Sequence, residues 1–395
     1  MKKNKSVAFL CQFFYPELVS SATLPFDTAE FLAENGFDVF CLCGAPKEYL
    51  GKRSKIPKLE VVRNVKIRRI KYWSLSRKSL IGRVINFFSF TVKCLFNLGK
   101  LKGYDYLFVY SNPPILPYVA YKAHKRYGCK VVFVCYDVYP EIAINTGTIS
   151  PGGMITKIMS SINKRLFSCV YRVVALSDDM KSHIIANRAV DSSKVVVIPN
   201  WFDRIPFVPK EKTSSLVVTY LGNLGVCQDI QTILDCAFQL KDEHKIRFVL
   251  GGHGSKLTLA QTYIDEHHLA NIKLYPFLSG DDYSRVMNQS DCFIVSLERK
   301  VPGLCFPSKY YSYLAYGRPV IAISESGSLT NDISEHGVGY CVANGDGAGL
   351  AKALKAILLM EPDAFMDTAL RARNLFEECY AKEKSLSKYL DALVR

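Results

Sequence analysis

The sequence predicts an α/β protein of two doubly wound domains in tandem, on three observations: its length, a strand and helix rhythm that starts twice, and a charge balance that changes between the halves. At 395 residues the chain exceeds one ordinary core, because single hydrophobic cores stop growing beyond about 250–300 residues. With 49% hydrophobic and 22% charged residues, 24 Gly and 17 Pro, it can bury substantial cores and is neither disordered nor fibrous. Residues 1–205 hold 31 Lys and Arg against 14 Asp and Glu, a balance of +17, while residues 206–395 hold 20 against 22, a balance of −2. The whole-chain +15 therefore lies in the first half. Such a field suits nucleic acid, an anionic membrane or a phosphorylated substrate.

The elements follow in order. Residues 6–14 form an apolar run that reads as a buried strand. The lysines ahead of it resemble a signal-peptide start, but Gln12 interrupts the run and Tyr15-Pro16-Glu17 ends it. A helix over 24–35 and a strand over 38–43 come next, and the rhythm continues with strands at 106–110, 130–136, 171–175 and 195–198 and helices at 116–127 and 155–169. Alternation of this kind makes a parallel sheet with crossover helices. The stretch 203–215, with two Pro and mixed charges, reads as a linker. A second series starts with a strand at 216–220, runs through strands at 246–250, 272–275, 292–295, 319–323 and 339–342, and ends in a long helical stretch over 364–393 with no strand after it. The domain boundaries are thus 1–205 and 206–375, both Rossmann-like. Thirteen Cys stand singly in apolar runs and read as reduced, intracellular residues. No uncharged apolar run reaches the roughly 18 residues of a spanning helix.

Open parallel sheets bind ligands at the carboxyl ends of their strands. Three segments of the second domain belong there. Leu221-Gly222-Asn223-Leu224-Gly225 and Gly251-Gly252-His253-Gly254 are glycine turns that let backbone approach a phosphate, although any α/β fold uses such turns. The third is more specific: Phe306-Pro307-Ser308-Lys309 opens a helix that ends at Tyr316-Gly317-Arg318-Pro319-Val320. A Lys in a first helical turn opposes the macrodipole, so an anion would justify it, while a solvated surface Lys is the plain alternative. Together the three favour a diphosphate site over scattered structural roles.

These residues also carry a resemblance. Phe14-Tyr15-Pro16-Glu17, Asp137-Val138-Tyr139-Pro140-Glu141, Ile198-Pro199-Asn200, the first glycine turn and above all Pro307-Ser308-Lys309 with Leu314 to Val320 resemble the family 4 retaining glycosyltransferases of GT-B fold. Within them, the chain is similar to the branch building bacterial O-antigen and capsular sugars, including N-acetylfucosamine transferases. The resemblance implies a second domain that binds a nucleotide-sugar, most often a UDP-sugar, a first domain that takes the acceptor, an active site in the cleft between them, and a terminal helix (376–395) returning to the first domain. Gly222, Asn223, Gly225, Gln228, Gly252, Ser308, Lys309 and Ser312 fall at its donor-binding positions.

Departures are specific. Where many relatives carry Arg and Lys on the first turn, this chain has Asn223 and Gln228, and where they carry two Glu separated by seven residues it has Leu304 and Ser312. Beside Asp137, Tyr136 stands where many relatives have a sugar-contacting His. Asp137 could orient a hydroxyl or could cap the turn before Pro140, and Ser111 and Asn112 end the preceding strand on the same acceptor side. No Asp-x-Asp pair occurs, and no Cys or His spacing suits zinc, so no metal cofactor is expected. Lys309 and backbone amides would then stabilise the leaving diphosphate.

The basic excess centres on 52–83, with a strand of basic face at Lys66-Ile67-Arg68-Arg69, followed by a helical stretch over 80–101 flanked by Arg77, Lys78, Arg83 and Lys93. Aromatics and cations on one helix suit an anionic membrane surface, and packing against its own domain is the competing role. Nucleic acid fits less well, since no binding module is present. The expectation is a metal-independent transferase, peripheral on the inner face of the cytoplasmic membrane, acting on a lipid-linked saccharide. A GT-B protein without turnover and a UDP-sugar epimerase stand as alternatives.

Overall fold

A computed structural model describes residues 5–46, 56–75 and 80–394. The chain divides into two compact units, one of residues 1–199 with 386–395 and one of residues 200–385. The division thus falls between Pro199 and Asn200, ahead of the proline-containing linker.

The first unit is built on β1 (Ser6–Cys11), α1 (Ser20–Glu34), β2 (Asp38–Gly44), β3 (Leu59–Val62), β4 (Val65–Ile70), α2 (Leu80–Phe96), β5 (Tyr106–Tyr110), α3 (Pro117–Tyr127), β6 (Lys130–Val134), α4 (Glu141–Asn145), α5 (Met154–Phe167), β7 (Val170–Ala175), α6 (Asp178–Asn187) and β8 (Val195–Val197). Its eight strands lie in the order β3-β4-β2-β1-β5-β6-β7-β8. Every residue of β1 and β5 is buried, which is why these central strands read as unbroken apolar runs. The crossover through α1 runs from β1 to β2 in one direction, whereas those through α2, α3 and α5 run in the other. Right-handed crossovers therefore put α2, α3 and α5 on one face and α1 on the opposite face, and α3 packs against both α2 and α5.

Two details depart from expectation. β4 pairs antiparallel with β3 in a hairpin that the sequence did not suggest. Its charge is also partly neutralised: Lys66 on the exposed face pairs with Asp38 at 2.7 Å, while Arg69, on the face it shares with Ile67, is buried, paired with Glu60 and donating to the Tyr15 and Pro57 carbonyls.

The second unit comprises β9 (Leu216–Asn223), α7 (Gln231–Gln239), β10 (Ile246–His253), α8 (Leu257–Glu266), β11 (Ile272–Tyr275), α9 (Gly280–Gln289), β12 (Cys292–Ser296), α10 (Lys309–Ala315), β13 (Val320–Ile323), α11 (Ser328–Glu335), β14 (Gly339–Val342), α12 (Gly347–Leu358) and α13 (Pro362–Leu375). Its all-parallel sheet runs β11-β10-β9-β12-β13-β14. One core face joins Val218, Tyr220, Phe248, Leu250 and Ile294 to the apolar sides of α7 and α12.

The long terminal stretch is not one helix. After α13 a π-helical turn over Phe376–Tyr380 and extended Ala381 break it, and α14 (Lys382–Val394) follows. Phe202 bridges Ala381, so 376–385 stays with the second unit. The returning segment is therefore shorter than the expected 376–395. Only residues from Leu386 onward join the first unit, where Tyr389 packs on Phe108 and the Tyr106 hydroxyl donates to the Leu393 carbonyl at 2.9 Å.

Candidate functional site

In the second unit β9 and β10 run on through their glycines, with Gly222 opposite Gly252 and Asn223 opposite His253. The fit leaves no room for a side chain. A Cβ on Gly252 would stand 1.7 Å from the Gly222 carbonyl oxygen, and both glycines hold φ near +140°, a region closed to L side chains. The two turns thus lie side by side at the carboxyl end of the sheet.

Lys309 reaches into this place from α10. Its Nζ lies 3.5 Å from the centre of the Tyr220 ring and 3.2 Å from where a Cβ on Gly222 would be. Nζ is buried and has no hydrogen-bond acceptor among the described residues, and burial pushes its ammonium well below the usual lysine range. A buried cation without a counter-charge is costly unless an anion joins it. The aromatic ring offsets part of that cost.

The supports of Lys309 are tyrosines. Tyr313 stacks on Phe293 at 4.3 Å, and its hydroxyl accepts from Leu221 N at 2.9 Å and donates to Leu221 O at 3.2 Å, tying α10 to the end of β9. Tyr310 donates to Asp332 at 2.6 Å, and the Tyr220 hydroxyl donates to the Asn223 carbonyl at 2.7 Å beneath the turn. The short α10, seven residues long, contributes little dipole, so the side chain of Lys309 dominates the local field.

The sequence-predicted residues separate into two groups. Gly222, Asn223, Gly225, Gly252 and Lys309 come together at this edge. Gln228 stands beside them, but its side chain accepts from Gly225 N at 3.0 Å and its carbonyl accepts from Lys256, so it closes the turn. Ser308 is exposed and makes no side-chain cap bond to α10. Ser312 is buried, with its hydroxyl donating to the Lys309 carbonyl at 2.8 Å and 3.4 Å from the Tyr283 hydroxyl, so it packs inside its own helix end. Leu304 is likewise buried.

His253 and Tyr220 were missed as site residues. Burial first, and then the Lys309 charge, lower the His253 imidazolium, which holds the ring neutral near pH 7. The Gly-Gly-His-Gly run was the available signal. Lys256, a further cation beside the turn, is ion-paired with Glu298.

On the first unit, Ser111 Oγ accepts from both Tyr136 N and Asp137 N at 3.0 Å, joining the ends of β5 and β6. Asn112 follows, with its Oδ1 buried and unpartnered. Tyr136 leans on Tyr110 at 5.3 Å, and burial holds its phenol well above the ordinary range. Asp137 lines a small cavity with Ser111, Asn163 and Arg188, and burial raises its carboxyl to about 6. Its side chain makes no cap to the following turn in any described hydrogen bond. Arg188 is engaged by Glu141 at 2.7 Å and by the Tyr139 carbonyl.

Among the described residues no group of three His, Cys, Asp or Glu could hold a metal ion. Arg83 and Lys93 are exposed on α2, and Arg77 and Lys78 lie outside the described residues.

Comparison with known proteins places these observations. Residues 22–204 match the family described as Glycosyltransferase Family 4, and residues 202–373 match Glycosyl transferases group 1. A Pseudomonas aeruginosa chain named "Probable glycosyltransferase WbjE" is 24% identical over 325 residues, covering 78% of each chain. An Escherichia coli K12 chain named "Putative colanic acid biosynthesis glycosyl transferase WcaI" is 22% identical over 271 residues, covering 65% of each. Among solved structures, Anabaena HepE in complex with UDP-glucose superimposes with a TM-score of 0.72 at 14% identity, covering 98% of this chain and 99% of that one. WaaG, a glycosyltransferase involved in lipopolysaccharide biosynthesis, does so at 0.70 and 12%, covering 97% and 99%. With two parallel α/β units of GT-B type and the two matches running in succession over residues 22–373, the chain belongs to the family 4 glycosyltransferases and is a glycosyltransferase.

Proposed function

We propose that this glycosyltransferase moves a sugar, of N-acetylamino type, from a UDP-sugar to a polyprenyl-diphosphate-linked saccharide in bacterial surface polysaccharide synthesis, with retention of configuration, at the inner face of the cytoplasmic membrane. The observation that carries the donor half is the buried, unpartnered Lys309 amine beside the paired glycine turns. A nucleotide diphosphate supplies the missing charge, and the turn backbones at Gly222 and Gly252 can approach it closely. The same groups stabilise the charge that develops on the leaving diphosphate, which is catalysis by donors already in place. That HepE was solved with UDP-glucose and with UDP, and that WbjE and WcaI carry glycosyltransferase names, supports the reading.

On the acceptor side Asp137 orients a hydroxyl, its carboxyl titrating near 6 and therefore ionised at neutral pH. Chemistry needs no resident metal in this scheme, since Lys309 supplies the positive charge. Asn223 adds a neutral amide at the turn where many relatives hold a cation. The test is transfer by the purified chain from a panel of UDP-sugars to polyprenyl-diphosphate saccharides, with and without a chelator. Transfer that survives the chelator and collapses in Lys309→Ala supports the proposal. Epimerisation of the UDP-sugar without acceptor, or UDP binding unaffected by Lys309→Ala, overturns it.

A further inference from the structure

α2 buries several polar side chains and exposes several large apolar ones. Asn86 is 1% exposed, and its side chain holds Leu75 through both backbone groups, accepting from N at 2.7 Å and donating to O at 2.9 Å. Ser89 donates to the Trp73 carbonyl at 3.0 Å and Thr91 is buried. On the other side Ile81, Phe88 and Phe96 are 73%, 61% and 81% exposed. Their spacing, with Val84 between, is that of one helical stripe. Packing against the core uses Phe90 and Cys94 instead. A helix that buries Asn86, Ser89 and Thr91 while showing Ile81, Phe88 and Phe96 is shaped for an apolar surround on its outer side.

The neighbouring helices extend the surface. α2, α3 and α5 lie side by side on one face of the sheet, with α6 and its Asp178 and Asp179 at the far edge, and together residues 80–96, 117–127 and 154–167 carry eight Lys and Arg and no Asp or Glu. All eight, from Arg83 on α2 to Arg165 on α5, are exposed. α5 adds a second apolar edge of Met154, Ile155 and Ile158. On the opposite face α1 carries Asp27, Glu30 and Glu34 and no cation. A second copy docking here through a symmetric contact would meet its own eight cations, which disfavours self-association. An anionic bilayer instead satisfies both features, because its phosphates meet the cations and its acyl boundary takes the phenylalanines.

We infer that the α2, α3 and α5 layer of the first unit is a bilayer-docking face, with the Ile81, Phe88 and Phe96 stripe inserted at the acyl boundary of an anionic membrane. The inference rests on the proposed lipid-linked acceptor for its biological sense, while its geometry stands without it.

The experiment is flotation of the purified full-length chain with phosphatidylcholine vesicles and with vesicles holding about 30% phosphatidylglycerol. The chain is expected to float with the anionic vesicles and to stay behind with the neutral ones. The triple variant Ile81→Ser, Phe88→Ser, Phe96→Ser should weaken binding by about tenfold or more, and Lys122→Gln with Lys125→Gln and Arg126→Gln should weaken it and flatten its salt dependence. Both variants should keep the wild-type thermal midpoint and transfer to a water-soluble acceptor analogue. Absence of flotation by folded protein, flotation insensitive to both variants, or a dimer in sedimentation that the apolar variant dissociates would each overturn the inference. Flotation without any transfer would instead count against the proposed chemistry and leave the docking face standing.

Discussion

Lys309 burdens the folded protein until an anion meets it. Burial lowers its ammonium well below the ordinary 10.5, so folding near neutral pH carries a penalty that fades as pH rises toward that value. Lys309→Met should therefore raise the unfolding free energy at pH 7 by about 1–3 kcal/mol in the absence of donor, while transfer falls by roughly a hundredfold or more. Urea unfolding with and without UDP reads both effects, because UDP should stabilise the wild type and leave the variant unmoved. Asp137 has the opposite sign of charge and a parallel logic. Its carboxyl stands raised from 3.8 to about 6, so the stability contributed by its protonated form is complete below its ordinary value and is lost as pH climbs through about 6. Asp137→Asn should gain on the order of 1–3 kcal/mol at pH 8 and nothing at pH 3.5, and lose transfer at every pH where the wild type is active.

At the scale of elements, the proposed donor edge depends on close backbone approach between β9 and β10. Gly252→Ala puts a methyl 1.7 Å from the Gly222 carbonyl at a φ of +140°, so the turns must separate. Loss of UDP binding by calorimetry and a destabilisation above about 3 kcal/mol are expected. Tyr313→Phe is milder. It removes both bonds to Leu221 and should cost about 1–2 kcal/mol, with a raised KM for the donor because the end of β9 is no longer tied to α10. Much of this was legible beforehand: the two glycine turns and Pro307-Ser308-Lys309 identify the edge by residue type alone. Ser312 was not, because sequence position says where a residue sits on a helix but not that its hydroxyl is taken by the turn behind it. Gln228 failed in the same way, its amide being spent on Gly225.

For the whole molecule, the terminal segment is the part whose role depends on the farthest separated contact. Leu386, Tyr389 and Leu393 are buried in the first unit, and at about 1.5–3 kcal/mol per large buried side chain truncation after Ser385 should remove roughly 5 kcal/mol or more from that unit. Differential scanning calorimetry would show its transition falling in temperature or vanishing. The sequence by itself determined the α/β class, the two successive series, the polarity of charge between them and the sheet edge at which the glycine turns and Lys309 meet. Periodicity, glycine placement and charge are local properties, readable without contacts. Only the tertiary structure decided that Lys309 is buried without a partner, that Arg69 is neutralised by Glu60, and that α2 buries Asn86, Ser89 and Thr91. Each of those depends on which residues distant in the chain come to lie within a few ångströms, and that information is spread over the whole fold.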